Sequence, residues 1–291
     1  MKRVFAISDI HVDYKQNMDW VDSLSGLDFR NDTLVVAGDI SNKPLLFSKA
    51  LECLQKKFEN VAFVPGNHDL WVRGTDSSDS MEKFYLLNNI CEVMGIKTRS
   101  FLVKDRRSVQ IQPLFSWYTK PEQGEDSLYL AKPGEDPNLS MWADNKAIKW
   151  PSMNGFRHPA EKFINMNEWQ HDLTDEFPVI TFTHFLPRQE LIFGLANPSV
   201  KKKFTDPFPA FNFSRVAGSV LIDRQLRNIG SSLHIFGHQH RNRQREIDGV
   251  TYIAQCLAYP KERHWAGIKD DEYFPKLVWD SENGFVKEPE Y

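Results

Sequence analysis

The sequence predicts an α/β fold in which sheets and helices pack in layers. Short runs rich in Val, Ile and Phe recur along its 291 residues, and each ends in a polar or glycine-containing turn, as β-strands do. Between several of these runs, apolar residues are spaced as on the buried face of a helix. Strands that alternate with helices over the whole length indicate a layered α/β protein.

The predicted elements follow one another from one end of the chain to the other. Strands are expected at residues 3–8, 33–37, 60–64, 109–115, 179–183, 233–236, 250–254 and 276–279. Helices are expected at residues 43–58, 81–94 and 219–228. The first of these helices places six apolar side chains on one stripe: Leu46, Phe47, Ala50, Leu51, Leu54 and Phe58.

Three alternating arginines, Arg241, Arg243 and Arg245, follow the motif that ends at His240. Asp248-Gly249 then predicts a tight hairpin turn into the strand at 250–254. The arginines fit an edge that grips anions, or an edge strand that charge protects from pairing. We favour the protected edge.

One segment, residues 118–155, breaks the alternation of strands and helices. It carries four prolines and three glycines, with Trp142 and Trp150 among them. A loop of this length is uncommon inside a compact domain, so we expect an insert or cap within a single domain that spans residues 1–291. Its tryptophans could stack on a nucleotide base, but the favoured interpretation is that they hold the segment against the body.

Composition excludes several classes of protein. With 36 basic and 39 acidic residues the net charge is −3, which argues against a protein that binds nucleic acid through bulk charge. No run approaches the roughly 18 apolar residues that span a bilayer. The three cysteines are too few for a disulfide framework and fit a reducing compartment. We therefore expect a cytoplasmic protein.

Polar side chains that could bind metal follow five of the predicted strands. In open α/β sheets, ligands bind beyond the carboxyl ends of the strands, so these side chains should meet at one rim. Glycine stands before three of them and would let the backbone turn sharply there. The five blocks are Asp9-Ile10-His11, Gly38-Asp39, Gly66-Asn67-His68-Asp69, Thr183-His184 and Gly237-His238-Gln239-His240.

Carboxylate, imidazole and amide ligands together suit Zn, Fe or Mn, and these residue types argue against a thiolate site. Seven such residues are too many for one ion but suit two ions that share a bridging carboxylate. The predicted ligands are Asp9, His11, Asp39, Asn67, His184, His238 and His240. The predicted cofactor is therefore a pair of divalent ions, Mn, Fe or Zn.

The five blocks, in this order between residues 9 and 240, resemble the calcineurin-like metallophosphoesterase superfamily. The resemblance implies a four-layer fold, in which a central β-sandwich of two mixed sheets is flanked by helices. It also implies that Asp9, His11 and His240 hold the first metal and that Asp39 bridges. The second metal would be held by Asn67, His184 and His238.

The resemblance further implies two catalytic residues. His68 would contact the phosphate and protonate the leaving group, and Asp69 would orient His68. A hydroxide that bridges the two ions would attack the phosphate ester, either a phosphodiester or a phosphomonoester. Arg73, a few residues after His68, and Arg241, directly after His240, are the predicted substrate contacts.

Differences from the sequence patterns of known subfamilies restrict the range of expected substrates. Protein Ser/Thr phosphatases of this superfamily carry arginines shortly after Gly-Asp and directly after Gly-Asn-His, and neither stands here. Purple acid phosphatases carry a tyrosine soon after Gly-Asp, and the residues after Asp39 offer none. The remaining expectation is a phosphoesterase for a small soluble ester, of which a nucleotide-like ester is one candidate.

Two alternatives stay open at this point. A nuclease or RNA-processing phosphodiesterase would use the three arginines after His240 to follow a nucleic-acid backbone, although a nucleic acid is not the favoured partner. A non-catalytic interaction module would bind metal without hydrolysing any ester. No membrane partner is expected, and the oligomeric state is left open.

Overall fold

The computed structural model describes residues 1–168, 176–194, 206, 208–263, 268 and 273–290. Eleven strands lie in this part of the chain: β1 (Arg3–Ile7), β2 (Thr33–Ala37), β3 (Asn60–Val64), β4 (Phe101–Lys104), β5 (Ser108–Pro113), β6 (Val179–Phe182), β7 (Ser231–Phe236), β8 (Arg243–Ile247), β9 (Val250–Ala254), β10 (Lys276–Asp280) and β11 (Gly284–Phe285). Six α-helices accompany them: α1 (Lys15–Ser23), α2 (Pro44–Gln55), α3 (Ser80–Met94), α4 (Asp144–Ala147), α5 (Pro159–Glu168) and α6 (Val220–Asn228).

The strands form two mixed sheets, as predicted. The first has the order β11-β10-β1-β2-β3, and its β1, β2 and β3 are parallel. The second has the order β4-β5-β6-β7-β9-β8, with a parallel centre between two antiparallel edge strands. Helix α2 contacts β3 on the first sheet, and α6 contacts β7 on the second. The layers therefore run helix, sheet, sheet, helix.

A continuous cluster of buried apolar side chains joins the two sheets. Every residue of β2 and of β6 is buried, which explains why these strands read as unbroken apolar runs. Val35, Phe63, Ile180 and Ile235 belong to this cluster. At the carboxyl end of β1 the sheets also pair directly, because Ser8 donates its backbone N–H to Gln255 O at 2.7 Å.

The bounds of the predicted strands and helices agree with the structure to within about three residues. Helices α1, α4 and α5 and strands β4 and β11 were not predicted. Helix α1 buries only Asn17, Met18, Trp20 and Val21, too few apolar positions to show a helical period. The hairpin prediction is confirmed, since Asp248 and Gly249 have φ of 50° and 80° and join β8 to β9.

The segment 118–155 contains one short helix, α4, and no strand. Trp150 meets Trp117 edge to face, with ring centroids 4.9 Å apart, and lies 5.9 Å from Phe163 of α5. These contacts hold the segment against the body of the protein. In the described part of the chain, none of the helices combines the length and the apolar character that crossing a membrane requires.

Candidate metal centre

The seven predicted ligands lie together where the carboxyl ends of the two sheets meet. The first sheet supplies four, since Asp9 and His11 follow β1, Asp39 follows β2 and Asn67 follows β3. The second sheet supplies His184 after β6, and His238 and His240 after β7. All are buried except His240, which is partly exposed.

The first group of donors is formed by Asp9, His11, Asp39 and His240, whose ligand atoms all lie within 4.8 Å of one another. His240 Nε2 lies 3.0 Å from His11 Nε2 and 3.3 Å from Asp9 Oδ1. Donors about 2.1 Å from a tetrahedral ion are roughly 3.4 Å apart. The spacing therefore fits a single ion.

The second group is a triangle of donor atoms from Asn67, His184 and His238. Asn67 Oδ1 lies 3.2 Å from His184 Nε2 and 3.1 Å from His238 Nδ1, and the two imidazole nitrogens are 3.2 Å apart. Three donors at this spacing leave room for one ion with further positions open to water or substrate.

Asp39 stands between the two groups. Its Oδ2 lies 3.8 Å from His11 Nε2 in the first group and 3.5 Å from His184 Nε2 in the second. Its other oxygen, Oδ1, accepts a hydrogen bond from the backbone N–H of His68 at 2.9 Å. The free oxygen is thus the one that faces both groups, as a bridging carboxylate requires.

Three of the histidines have their second ring nitrogen fixed by an acceptor. His184 Nδ1 lies 2.9 Å from Ala37 O, and His238 Nε2 lies 3.0 Å from Val216 O. His240 Nδ1 lies 2.7 Å from Glu262 Oε2. Metal-binding histidines almost always have such a partner, which sets the tautomer and the orientation of the ring. The donor set therefore fits divalent metal ions.

The backbone at the site is strained. Five of the predicted ligands are non-glycine residues in the left-handed region, which residues other than glycine rarely adopt and which often marks functional sites. Their φ angles are 51° at Asp9, 44° at His11, 59° at Asp39, 75° at His238 and 53° at His240.

Burial and crowding shift the protonation of the donors. Burial, and then the nearby carboxylates of Asp69 and Asp9, raise the pKa of Asp39 well above its usual range. Burial lowers the pKa of His240, but the charge of Asp9 and hydrogen bonds to Asp9 and Glu262 outweigh it and raise that pKa to about 9. A divalent cation at the site would favour ionised carboxylates and neutral imidazoles instead.

His68 lies beside the donors without belonging to either group. Its ring stacks on Trp71, with centroids 3.7 Å apart, and lies 4.8 Å from the ring of His11. Its Nε2 is 3.1 Å from the hydroxyl of Tyr259. Burial, and then the nearby imidazoles of His240 and His184, lower the pKa of His68 well below its usual value.

Asp69 follows His68 directly and is buried. Its carboxylate accepts hydrogen bonds from four backbone N–H groups, those of Asp39 (2.7 Å), Gly66 (2.8 Å), Ile40 (2.9 Å) and Ser41 (3.0 Å). Asp69 therefore ties the loop after β2 to the loop after β3, and that it orients His68 stays a prediction.

The two predicted substrate contacts lie in different depressions. Arg241 lines a cavity of about 330 Å³ together with Asp39, Asn67, His68, His238 and His240. Arg73 lines a neighbouring groove of about 360 Å³ with Trp71 and Lys146, and Trp142 borders both. Arg243 and Arg245 donate to Ile192 O at 3.0 Å and to Glu190 O at 3.4 Å. Of the three alternating arginines, only Arg241 lines the metal-centre cavity.

Three residues at the site had no signal in the sequence. Tyr259 contacts His68, Glu262 contacts His240, and Asp144 accepts a hydrogen bond from Asn67 Nδ2 at 2.9 Å. Each lies outside the five blocks, and the closest in sequence to its partner is 22 residues away. Only the tertiary structure brings them to the centre.

The model of the family described as calcineurin-like phosphoesterase matches residues 2–242 of the chain. The chain belongs to this family. It is a metal-dependent hydrolase that acts on phosphate esters.

A curated relative of this phosphoesterase is the [Acyl-carrier-protein] phosphodiesterase PptH of Mycobacterium tuberculosis. The two are 24% identical over 314 residues, which cover 99% of this chain and 90% of the relative. The crystal structure of the phosphopantetheinyl hydrolase PptH from Mycobacterium tuberculosis superposes with a TM-score of 0.72 at 19% identity, covering 95% of each chain. That similarity shows the same fold.

Proposed function

We propose that this phosphoesterase hydrolyses a phosphodiester that joins a phosphopantetheine-type group to a carrier protein. The observation that carries the proposal is the similarity to PptH, an acyl-carrier-protein phosphodiesterase, over 99% of this chain. The resemblance is not confined to the metal-binding blocks that all family members share, so it bears on the substrate as well as on the chemistry.

The shape of the cavity supports a diester with an uncharged arm. Beside the donors, its wall is formed by Trp142, Phe208, Phe211 and Phe213. Trp142 and Phe211 are stacked, with centroids 5.6 Å apart. Aromatic walls favour a slender, largely apolar chain next to the phosphate. Arg241, on the rim, would contact the phosphate itself.

The other arm of the diester would lie along the groove that contains Arg73. Trp142 borders both this groove and the metal-centre cavity, so a substrate cleaved at the metal centre would extend into both depressions. Arg73 and Lys146 are exposed there and make no ion pair within the described residues. Both cations are therefore available to an acidic segment of the carrier.

The residues of the centre divide the work of hydrolysis. Asp9, His11 and His240 would hold one divalent ion and Asn67, His184 and His238 the other, with Asp39 shared. Bound there, two such ions supply Lewis-acid activation of water and neutralise charge on the phosphate. Which of the metals Mn, Fe and Zn occupies the site would depend on their availability in the cell.

His68 would donate the proton to the departing alkoxide. Stacking on Trp71 and the contact with Tyr259 fix its ring beside the donors. The negative charge of a bound phosphate would offset the low pKa of His68 and allow the imidazole to carry that proton.

The geometry does not favour the nuclease alternative. To follow a nucleic-acid backbone, the arginines after His240 would have to be free along one edge, but Arg243 and Arg245 donate to backbone carbonyls of residues 190–192.

Cytoplasmic location remains part of the proposal, since Cys53, Cys91 and Cys256 are all free thiols.

The proposal is tested with purified protein and added Mn, with His68→Ala as the background control. We expect bis-p-nitrophenyl phosphate to be cleaved in preference to p-nitrophenyl phosphate. We also expect a carrier protein that bears phosphopantetheine to lose that group, seen as a fall in intact mass. The His68→Ala variant should retain its metals and lose roughly 10²–10⁴-fold in turnover of diesters with poor leaving groups. Preference for the monoester, with the carrier left intact, would refute the proposal.

A further inference from the structure

Asp144, the first residue of α4, connects the 118–155 segment to the metal centre. Its side chain is buried, and its carboxylate accepts three hydrogen bonds. Oδ1 accepts from Asn67 Nδ2 at 2.9 Å and from Trp71 Nε1 at 2.6 Å, and Oδ2 accepts from the Tyr118 hydroxyl at 3.2 Å. A buried carboxylate is costly unless such donors compensate it, so the arrangement is specific.

The bond to Asn67 determines which end of its amide faces the histidines. Because Nδ2 donates to Asp144, Oδ1 is turned towards His184 Nε2 and His238 Nδ1. The opposite orientation would present N–H groups, which cannot bind a cation, to the same position. Asp144 thus selects the orientation of Asn67 that can bind metal.

The same carboxylate oxygen also positions a neighbour of His68. Trp71 donates its indole N–H to Asp144, and the indole ring is the surface on which His68 stacks. On the other side, Tyr118 accepts a hydrogen bond from Trp142 Nε1 at 3.2 Å, and the Trp142 ring lies edge-on to His238 at 5.8 Å. One side chain therefore contacts both the second donor group and the support of His68.

We propose that Asp144 is a positioning residue through which the 118–155 segment sets the affinity of the second metal position, formed by Asn67, His184 and His238. The inference rests on the ligand role proposed above for Asn67. It predicts that loss of Asp144 weakens one of the two metal positions selectively. A residue that only stabilised the fold would weaken both or neither.

The test uses the whole protein and measures Mn binding by competition with a chromogenic chelator. Asp144→Ala removes both acceptor oxygens and with them all three hydrogen bonds, and we expect one of the two ions to bind roughly 10–100-fold more weakly while the other is unchanged. Asp144→Asn keeps the shape and one acceptor oxygen, so its affinity should fall between those of Asp144→Ala and the wild type. Tyr118→Phe, which removes a bond to Oδ2 and leaves Asn67 alone, should stay within about twofold of the wild type in metal affinity.

A second readout follows activation of diester hydrolysis by Mn. The Mn concentration that gives half-maximal activity should rise in Asp144→Ala by the same factor as the dissociation constant. Two ions bound by both Asp144 variants as tightly as by the wild type would overturn the inference. Should Asp144→Ala fail to fold, as judged by its thermal transition, Asp144→Asn alone decides, because it preserves volume and shape.

An Asn67→Ala variant distinguishes the proposed ligand role of Asn67 from the proposed positioning role of Asp144. If it loses one ion while both Asp144 variants bind two ions normally, the ligand assignment stands and the role of Asp144 is wrong. If Asn67→Ala itself binds two ions normally, the ligand assignment fails, and the inference about Asp144 fails with it.

Discussion

At the residue scale, the candidate metal centre depends on carboxylates whose oxygens have fixed partners. Asp39 is the clearest case, because Oδ1 is held by the backbone N–H of His68 and only Oδ2 faces the donors. Asp69 works similarly, since its four hydrogen bonds join the loops that carry Asp39 and Asn67. These two carboxylates therefore fix the positions of the predicted ligands relative to one another.

Replacing Asp39 tests the bridging role. Asp39→Asn removes the negative charge that the two ions would share, so we expect the metal content to fall from two ions per chain to one or none. Elemental analysis of dialysed protein measures this directly. Asp19→Asn, which changes the same charge on an exposed residue that pairs with Lys15, is the matched control. Two ions retained by Asp39→Asn would disprove the bridge.

At the scale of elements, the turns after the strands decide how closely the ligands approach. A Cβ at Gly66, after β3, would lie 2.2 Å from Asp39 Oδ1 and 2.7 Å from His184 Cε1. A Cβ at Gly38, after β2, would lie 2.5 Å from His184 Nδ1. Glycine is required at these turns because ligands from neighbouring strands pass directly over the backbone.

Gly66→Ala should therefore disturb both the fold and the centre. Overpacking of this kind costs roughly 1–3 kcal/mol, and we expect that loss of unfolding free energy together with a reduced metal content. Urea denaturation and elemental analysis measure the two effects. Gly26→Ala is the control, since a Cβ there meets nothing within 4 Å, and it should match the wild type. Wild-type stability and metal content in Gly66→Ala would contradict the steric argument.

At the scale of the whole molecule, the centre exists only because two sheets converge. Asp9, His11, Asp39 and Asn67 come from one sheet, and the other three predicted ligands come from the second. Anything that loosens the packing between the sheets should therefore affect metal binding as well. His234, in the middle of β7, is buried on the second sheet and contacts the hydroxyls of Thr181 and Thr183 at 2.8 Å and 3.0 Å.

His234 should make the stability of the fold sensitive to acid. Burial lowers its pKa to about 3, against 6.5 for an ordinary histidine, so below pH 6.5 the unfolded chain binds a proton that the folded chain excludes. Its contribution is complete above pH 6.5 and is lost progressively as the pH falls towards 3. At pH 5 the loss is about 2 kcal/mol relative to pH 7.5.

The measurement is urea denaturation of the wild type and His234→Gln at both pH values. Glutamine cannot take up this proton, so the variant should lose about 2 kcal/mol less between pH 7.5 and pH 5 than the wild type does. Equal losses in the two proteins would show that His234 does not carry the acid sensitivity.

The sequence by itself determined most of the strands, the order of the blocks and the residues that could bind metal. Apolar runs such as the one that forms β2 can be recognised in the sequence, because a strand that is buried on both faces is apolar along its length. Asp9 and His11, and likewise His238 and His240, can be recognised because each pair stands directly after such a run. These patterns are local in the chain, so they can be recognised without a structure.

Only the tertiary structure decided which side chains support the centre. Asp144 meets Asn67 across 77 residues, and Tyr259 meets His68 across 191. The hydrogen bonds of Asp69 also depend on loops that come together only when β2 and β3 pair. The physical reason is that a ligand is recognisable by its own chemistry, whereas a supporting residue is defined by its partner, and the partner is brought near only when the two sheets pack.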